Sequence, residues 1–156
     1  VVKAVGETCN FPPLDGVGVM YLDRVEVSWP WRLTLDVGAH VPIHCTGSGK
    51  LFLALMPAAQ RDSVLSTQLE RMTPHTITDV AALQRECQTI AAQDCAYDRE
   101  EFIPGLIAMA VPVRDREQQL RGATAVHAPT ARLDLDTVTQ HLPTLQHAAL
   151  RMGQLL

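Results

Sequence analysis

Ile43-His44-Cys45-Thr46-Gly47-Ser48-Gly49-Lys50 runs directly into Leu51-Phe52-Leu53-Ala54-Leu55-Met56 and stops at Pro57. The order is an extended approach, a glycine-rich turn, and then a helix. Its apolar run leaves no polar face, so the helix must be buried. Gly47 and Gly49 let the backbone turn sharply, and the first amides of a helix have no intrahelical acceptor. Those free donors coincide with the positive end of the helix dipole, which makes Gly47-Ser48-Gly49 a candidate site for a carboxylate or similar anion. The same residues have a purely architectural account, in which the glycines let a buried helix pack close to a strand and Ser48 or Thr46 caps it. Gly-Ser-Gly-Lys also looks like the end of a phosphate-binding loop. That motif needs glycine where His44 stands and serine or threonine where Leu51 stands, so nucleotide binding is excluded.

A chain of 156 residues is a single domain, 1–156, long enough to bury roughly two thirds of its unfolded surface without disulfides or metal. With 47% hydrophobic and 19% charged residues it reads as globular and well packed. The formal net charge is −4, the acidic residues are spread out, and lysine and arginine form no stripe. Direct binding of this chain to nucleic acid is therefore not expected. Cys9, Cys45, Cys87 and Cys95 show no Cys-x-x-Cys pair and no matching histidine spacing, so they read as buried thiols of a reducing, cytoplasmic compartment. No apolar run approaches the ~18 residues of a membrane span, and no basic-then-apolar leader precedes the first strand. Val1 falls in the middle of structured-looking sequence, so the expectation is a fragment of something longer.

Outward from the central helix, Glu7 to Asp15 and Val17 to Val27 are extended stretches joined by a hairpin signal at Asp15-Gly16. Pro12-Pro13 makes the first irregular or an edge. Ser28-Trp29-Pro30-Trp31 holds both tryptophans in a loop, either packed over the sheet edge or lidding a pocket. Arg32 to Val37 alternates as a short strand. Beyond Pro57 come a helix over Ala58 to Leu69, a connector from Met72 to Thr78, and an Asp79-capped amphipathic helix to about Gln93. Cys95 to Asp98 reads as a strand and Arg99 to Gly105 as a turn. Leu106 to Val111 is so uniformly apolar that it belongs in the middle of a covered sheet. Asp134 or Asp136 caps a helix to the C-terminus, kinked by Pro143, with a four-three seam from Val138 to Leu156. The class is α+β, a mainly antiparallel, curved sheet of about six strands flanked by helices.

The charged turn Arg114 to Gln118 joins Leu106–Val111 to Leu120–Ala128 as a hairpin. Centred between Arg116 and Glu117, it sets Val113 opposite Leu120, Ala108 opposite Ala125, and Leu106 opposite His127. These last four then share one face, where the alanines leave room and His127 can reach in.

Four motifs in order, Tyr21-Leu22-Asp23-Arg24-Val25-Glu26, Val41 to Lys50, Leu69-Glu70-Arg71-Met72-Thr73-Pro74-His75-Thr76-Ile77-Thr78 and Asp98 to Gly105, resemble the effector-binding domain of the IclR family of bacterial transcription regulators. The likeness covers the chain from Gly6 onward. It implies a GAF- or profilin-like sensor fold, curved around a pocket for a small organic acid (keto, hydroxy or aromatic). It also implies homodimers or homotetramers that contact DNA through a winged helix-turn-helix missing from this chain. Neither a cofactor nor a metal is implied.

Position by position, the resemblance places the ligand-contacting turn on Gly47 and Ser48, the acidic pocket residue on Asp98, and sheet contacts on Leu106, Ala108, Ala125 and His127. Leu33 and Val41 fall on apolar lining positions, and Trp29 and Trp31 border the pocket. Members that bind the smallest keto acids carry hydroxyl side chains where Ala125 and His127 stand, so that ligand does not transfer. The expected chemistry is a carboxylate on the amides of Gly47 and Ser48, a donor or positive charge from His127, and Asp98 accepting from a ligand hydroxyl. Two other readings compete. One is a stand-alone GAF-like sensor. The other is an enzyme with Cys45 as nucleophile beside His44, although neighbours on an extended segment point to opposite faces.

Overall fold

The computed structural model describes residues 8–11, 14–15, 18–20, 23–25 and 40–156. Gly47–Leu55 is helix α1, and Gly47 through Ala54 are all buried. Its start is fixed by Thr46, which stands in extended backbone and accepts from Gly49 N at 3.2 Å while donating to Pro42 O at 3.1 Å. Of the two candidate caps, Thr46 is the one used. Gly49 is required by close approach, because a Cβ there would lie 2.2 Å from Ile43 O.

Eight strands are described: β1 Thr8–Phe11, β2 Leu14–Asp15, β3 Gly18–Met20, β4 Asp23–Val25, β5 His40–Val41, β6 Ala96–Arg99, β7 Leu106–Arg114 and β8 Leu120–Pro129. Among the described residues they form a five-stranded sheet in the order β4-β1-β8-β7-β6 and a three-stranded sheet β2-β3-β5. All pairings are antiparallel. Leu14 faces Val19 and Asp15 faces Gly18, so the two expected stretches pair, but Asp15 lies in β2 rather than at the turn. The expected first stretch divides, with β1 and β2 going to different sheets.

The β7–β8 hairpin is covered on both sides, and its two faces differ in size. Ala110, Ala123 and Ala125 join α1 and helix α3, Val80–Gln93, in one apolar cluster. Ile107, Met109, Val111, Val113 and Val126 form a second cluster with Val138 of helix α4, Leu135–Gln140, and with Leu145 and Ala149 of helix α5, Leu142–Gly153. The small side chains let α1 come down onto the sheet, and the large ones fill the wider gap beneath α4 and α5.

The register differs from the expected one by two residues. Ala108 faces His127, Ala110 faces Ala125, Leu106 faces Pro129 and Val113 faces Gly122. Asp115 is the reason: its Oδ1 accepts from Glu117 N at 3.0 Å and Gln119 N at 2.8 Å, wrapping a wider turn, and a bulge follows at Val113/Arg114. A shift of two preserves parity, so Leu106, Ala108, Ala125 and His127 still share a face.

Helix α2 spans Ala58–Leu65 and stops short of Leu69, where the hydroxyls of Ser66 and Thr67 bond back to Ser63 O and Val64 O. The expected kink at Pro143 is a full break. Asp134 caps α4, and α5 begins anew at Leu142 with proline in its first turn, where the missing N–H costs nothing. The seam buries Val138, Leu145 and Ala149 but leaves Leu156 60% exposed, so it is a helix lying on a sheet over that span. The Arg32 to Val37 strand and the tryptophan loop lie outside the described residues. No described helix is long and apolar enough to cross a membrane.

Gly49→Ala is expected to destabilise the fold by about 2–3 kcal/mol or more, because its Cβ would strike main chain that cannot yield. At Gly47 an added Cβ would lie 3.5 Å from the Ala110 Cβ, an ordinary contact, so Gly47→Ala is expected to change the melting temperature by only a degree or two. Thermal denaturation of the two variants checks the contrast.

Candidate functional site

Strand pairing builds a row of side chains across the sheet. Asp98 faces Ala108 across β6–β7, Ala108 faces His127 across β7–β8, and His127 faces Thr8 of β1. Directly opposed residues project from the same face, so Asp98 and His127 flank Ala108 as two walls. The next row is Ala96, Ala110 and Ala125. The start of α1 sits over both rows. A Cβ on Gly47 would lie 3.5 Å from that of Ala110, 3.7 Å from that of Ala108 and 3.7 Å from Asp98 N. Part of the room that the alanines leave is thus filled by the helix backbone itself. Gly47, Asp98, Leu106, Ala108, Ala125 and His127 are brought to one place, with Ser48 in the helix start above them. Val41 joins the same apolar cluster from β5. Leu33, Trp29 and Trp31 lie outside the described residues.

Two polar features stand out. Ser48 is 2% exposed, and its Oγ has no hydrogen-bond partner among the described residues. Asp98 is equally buried, and its Oδ1 accepts from Glu101 N at 2.7 Å. Burial pushes the Asp98 carboxyl up to about 7. The Glu101 carboxylate adds to the rise, while the Glu101 N–H and the Lys50 ammonium restrain it. Near neutrality Asp98 can therefore either accept from a ligand or donate to it.

The surroundings of Cys45 count against the nucleophile reading. Cys45 is fully buried, and burial, reinforced by the charges of Asp98 and Glu101, pushes its thiol up to about 12. The His44 ring is anchored through Nε2, which donates to Glu70 O at 2.8 Å. No group of three or more His, Cys, Asp or Glu among the described residues could hold a metal ion.

A buried polar network beside the site was not foreseen. Lys50 is wholly buried in α1, and its Nζ donates to Glu101 Oε1 at 2.6 Å and to Glu86 Oε1 of α3 at 3.0 Å. Thr76 Oγ1 donates to Glu101 O at 2.6 Å and Thr73 Oγ1 to Glu100 O at 2.7 Å. Glu100, at φ +59°, closes the loop by accepting from Gly105 N at 2.7 Å. The segments around Lys50, Thr73–Thr76 and Asp98–Gly105, which are distant in the chain, thus hold one another. The available signal was a lysine inside an apolar helix, which cannot be buried without anionic partners.

A family model described as "Bacterial transcriptional regulator IclR C-terminal" matches residues 1–153. The protein named "Probable transcriptional regulator SauR" from Cupriavidus necator is 43% identical over 150 residues, covering 96% of this chain and 60% of its own length. The chain therefore spans about 60% of that curated relative. A solved transcriptional regulator from Rhodococcus sp. RHA1 superposes with a TM-score of 0.93 at 27% identity, over 98% of this chain and 63% of its own. An IclR homologue from Microbacterium hydrocarbonoxydans, solved in complex with 4-hydroxybenzoate, gives 0.84 at 25% identity, over 96% and 60%.

The raised Asp98 pKa has a sign that can be checked. The folded state holds this proton more tightly than the unfolded chain does. Its contribution to stability is therefore present below about pH 4 and lost as the pH rises through 7. Asp98→Asn, whose oxygen can still accept from Glu101 N, is expected to melt at least about 5 °C above the parent at pH 8 and level with it at pH 4. Equal offsets at both pH values would contradict the assignment.

Proposed function

The chain belongs to the IclR family of bacterial transcriptional regulators as its C-terminal domain, and from that premise we propose that it senses a small organic acid at the row formed by Asp98, Ala108 and His127. The carrying observation is Ser48. A buried hydroxyl with no partner among the described residues, on the first turn of a helix whose Gly47 packs against Ala108 and Ala110, suits an incoming carboxylate. His127 supplies a second donor, and Asp98 takes the far polar group of the ligand, a hydroxyl being the natural match. The 4-hydroxybenzoate complex of a structural neighbour supports an acid with such a hydroxyl. Ala125 and His127 disfavour the smallest keto acids, which would need hydroxyl groups on the sheet.

In the longer protein, this domain acts in the cytoplasm as a homodimer or homotetramer, with DNA held by a separate winged helix-turn-helix. The acid changes DNA binding by favouring one arrangement of the subunits over another, since a ligand with no preference shifts nothing. The described part of the site joins α1 to the sheet, so ligand contacts there bear on the packing of α1 against α3.

A thermal-shift titration with 4-hydroxybenzoate, run beside pyruvate and a panel of hydroxylated aromatic acids, tests the reading. An acid at a hundred times its dissociation constant should add roughly 2.7 kcal/mol and raise the melting temperature by about 5–11 °C. Ser48→Ala is expected to leave the unliganded melting temperature level or slightly higher, since its hydroxyl bonds to none of the described residues, and to weaken the acid about tenfold or more. A panel without any shift, or Ser48→Ala retaining full affinity, would refute the site.

A further inference from the structure

Lys50 follows the glycine pair, yet its ammonium takes no part in the site as proposed. Its side chain is completely buried and ends between two carboxylates, Glu101 Oε1 at 2.6 Å and Glu86 Oε1 at 3.0 Å. Glu101 is tied once to Asp98 and once to its neighbour Arg99. Its N–H donates to Asp98 Oδ1 at 2.7 Å, and its Oε1 accepts from Arg99 N at 3.2 Å, one residue past Asp98. The Glu101 carboxylate therefore folds back over the turn that begins at Asp98, and Lys50 holds it there. On the outer side, Glu86 is 21% exposed and also receives Arg99 Nη1 at 3.1 Å. Although burial opposes it, Lys50 and Arg99 hold the Glu86 carboxyl below its ordinary value. A continuous line of bonded groups thus runs from Asp98 on the sheet through Glu101 and Lys50 to the surface of α3.

We infer that Lys50 is a positioning residue for the sensor site: by clamping Glu101 it fixes the turn that aims Asp98 and balances the charge that Asp98 presents. Among the described residues, the groups facing Asp98 are few. Glu101 comes from its own turn, Lys50 and Cys45 from α1 and the segment before it, and His127 from across β7. Glu86 and Arg99 lie behind Lys50. Two neighbouring carboxylates with one buried cation between them and the surface leave Asp98 dependent on that cation. The importance of this clamp for ligand binding rests on the proposed role of Asp98, but the clamp itself can be tested without any ligand.

The experiment is an NMR titration of the Asp98 side-chain carboxyl carbon in the unliganded 156-residue chain, as parent and as Lys50→Met, Glu86→Gln, and Lys50→Met with Glu101→Gln. Removing the cation should raise the Asp98 midpoint by about one pH unit or more, and removing the Glu86 charge, which leaves Lys50 less compensated, should lower it by ~0.3 units. The double variant, which removes opposite charges together, should return to within ~0.3 units of the parent. A lysine that only held the fold would lower the melting temperature without moving the midpoint, and that result overturns the inference. If Lys50→Met does not fold, Glu86→Gln and the double variant decide: an unmoved Glu86→Gln midpoint, or a large shift in the double variant, overturns it. Failure of every acid to bind, with these shifts present, would refute the sensor reading alone. Binding of an acid with no shifts would refute the clamp alone.

Discussion

The pairing of Lys50 with Glu101 is the constraint to which the described part of this domain answers. Burying an ammonium costs several kcal/mol even after relaxation, and only well-placed anions offset it. Lys50 cannot reach water because α1 lies close on the sheet, Gly49 tight against Ile43 O and Gly47 seated between Ala108 and Ala110. The chain therefore has to bring two carboxylates to the lysine, one from α3 and one from the turn after β6. That demand fixes α3 against α1, and it fixes the turn from Asp98 to Gly105. The hydroxyls of Thr73 and Thr76 complete the turn by taking the carbonyls of Glu100 and Glu101, which a buried turn would otherwise leave unmet. Loss of Lys50 would strand the buried Glu101 carboxylate, a penalty of about 3–5 kcal/mol, much of the stability of an ordinary domain.

The difference in size between the two sheet faces is the second half of the same arrangement. Alanines at 108, 110, 123 and 125 admit a helix backbone at close range, which is what removes Lys50 from solvent and sets the start of α1 above Asp98 and His127. With valine or leucine there, the helix would stand off, the lysine would find water, and neither carboxylate would be needed. Burial of Asp98 follows from this too, and with it the raised proton affinity of its carboxyl. The polarity of the site is thus a consequence of how tightly an apolar helix is packed.

Much of this was legible in the chain. The burial of α1 followed from its lack of a polar face, the cap at Asp79 from its position before an apolar-periodic run, and the covered strand β7 from its unbroken apolar composition, while Asp134 was one of two candidate caps for α4. The face shared by Leu106, Ala108, Ala125 and His127 was read correctly from a register that was wrong by two residues, because only parity decides the face. The register itself depended on Asp115 folding two amides around its carboxylate, a choice of turn that charge patterning does not reveal. The ends of α2 and α4 were misread because side-chain hydroxyls and a proline in a first turn act locally against a helical pattern. Lys50 was missed for a different reason. In an apolar run a single lysine looks like tolerated noise, and its partners lie 36 and 51 residues away. Long-range charge pairing leaves no periodic trace.

Positions where a sequence rule fails are where function concentrates, and here the failures converge. A buried serine hydroxyl without a partner among the described residues and a carboxyl pushed up to about 7 both cost stability at neutral pH, and both lie where α1 meets the sheet. Asp98→Asn, which keeps the acceptor for Glu101 N, would give a more stable domain above neutral pH, and Ser48→Ala one at least as stable. On the proposed reading, an acid that bonds to Ser48 and engages Asp98 recovers part of that cost on binding, so the fold forgoes stability in the empty state and gains it in the liganded one. The gain is delivered at α1, which the buried lysine joins to α3 and to the turn after β6. On the same reading, ligand occupancy is felt first by the elements that share Lys50.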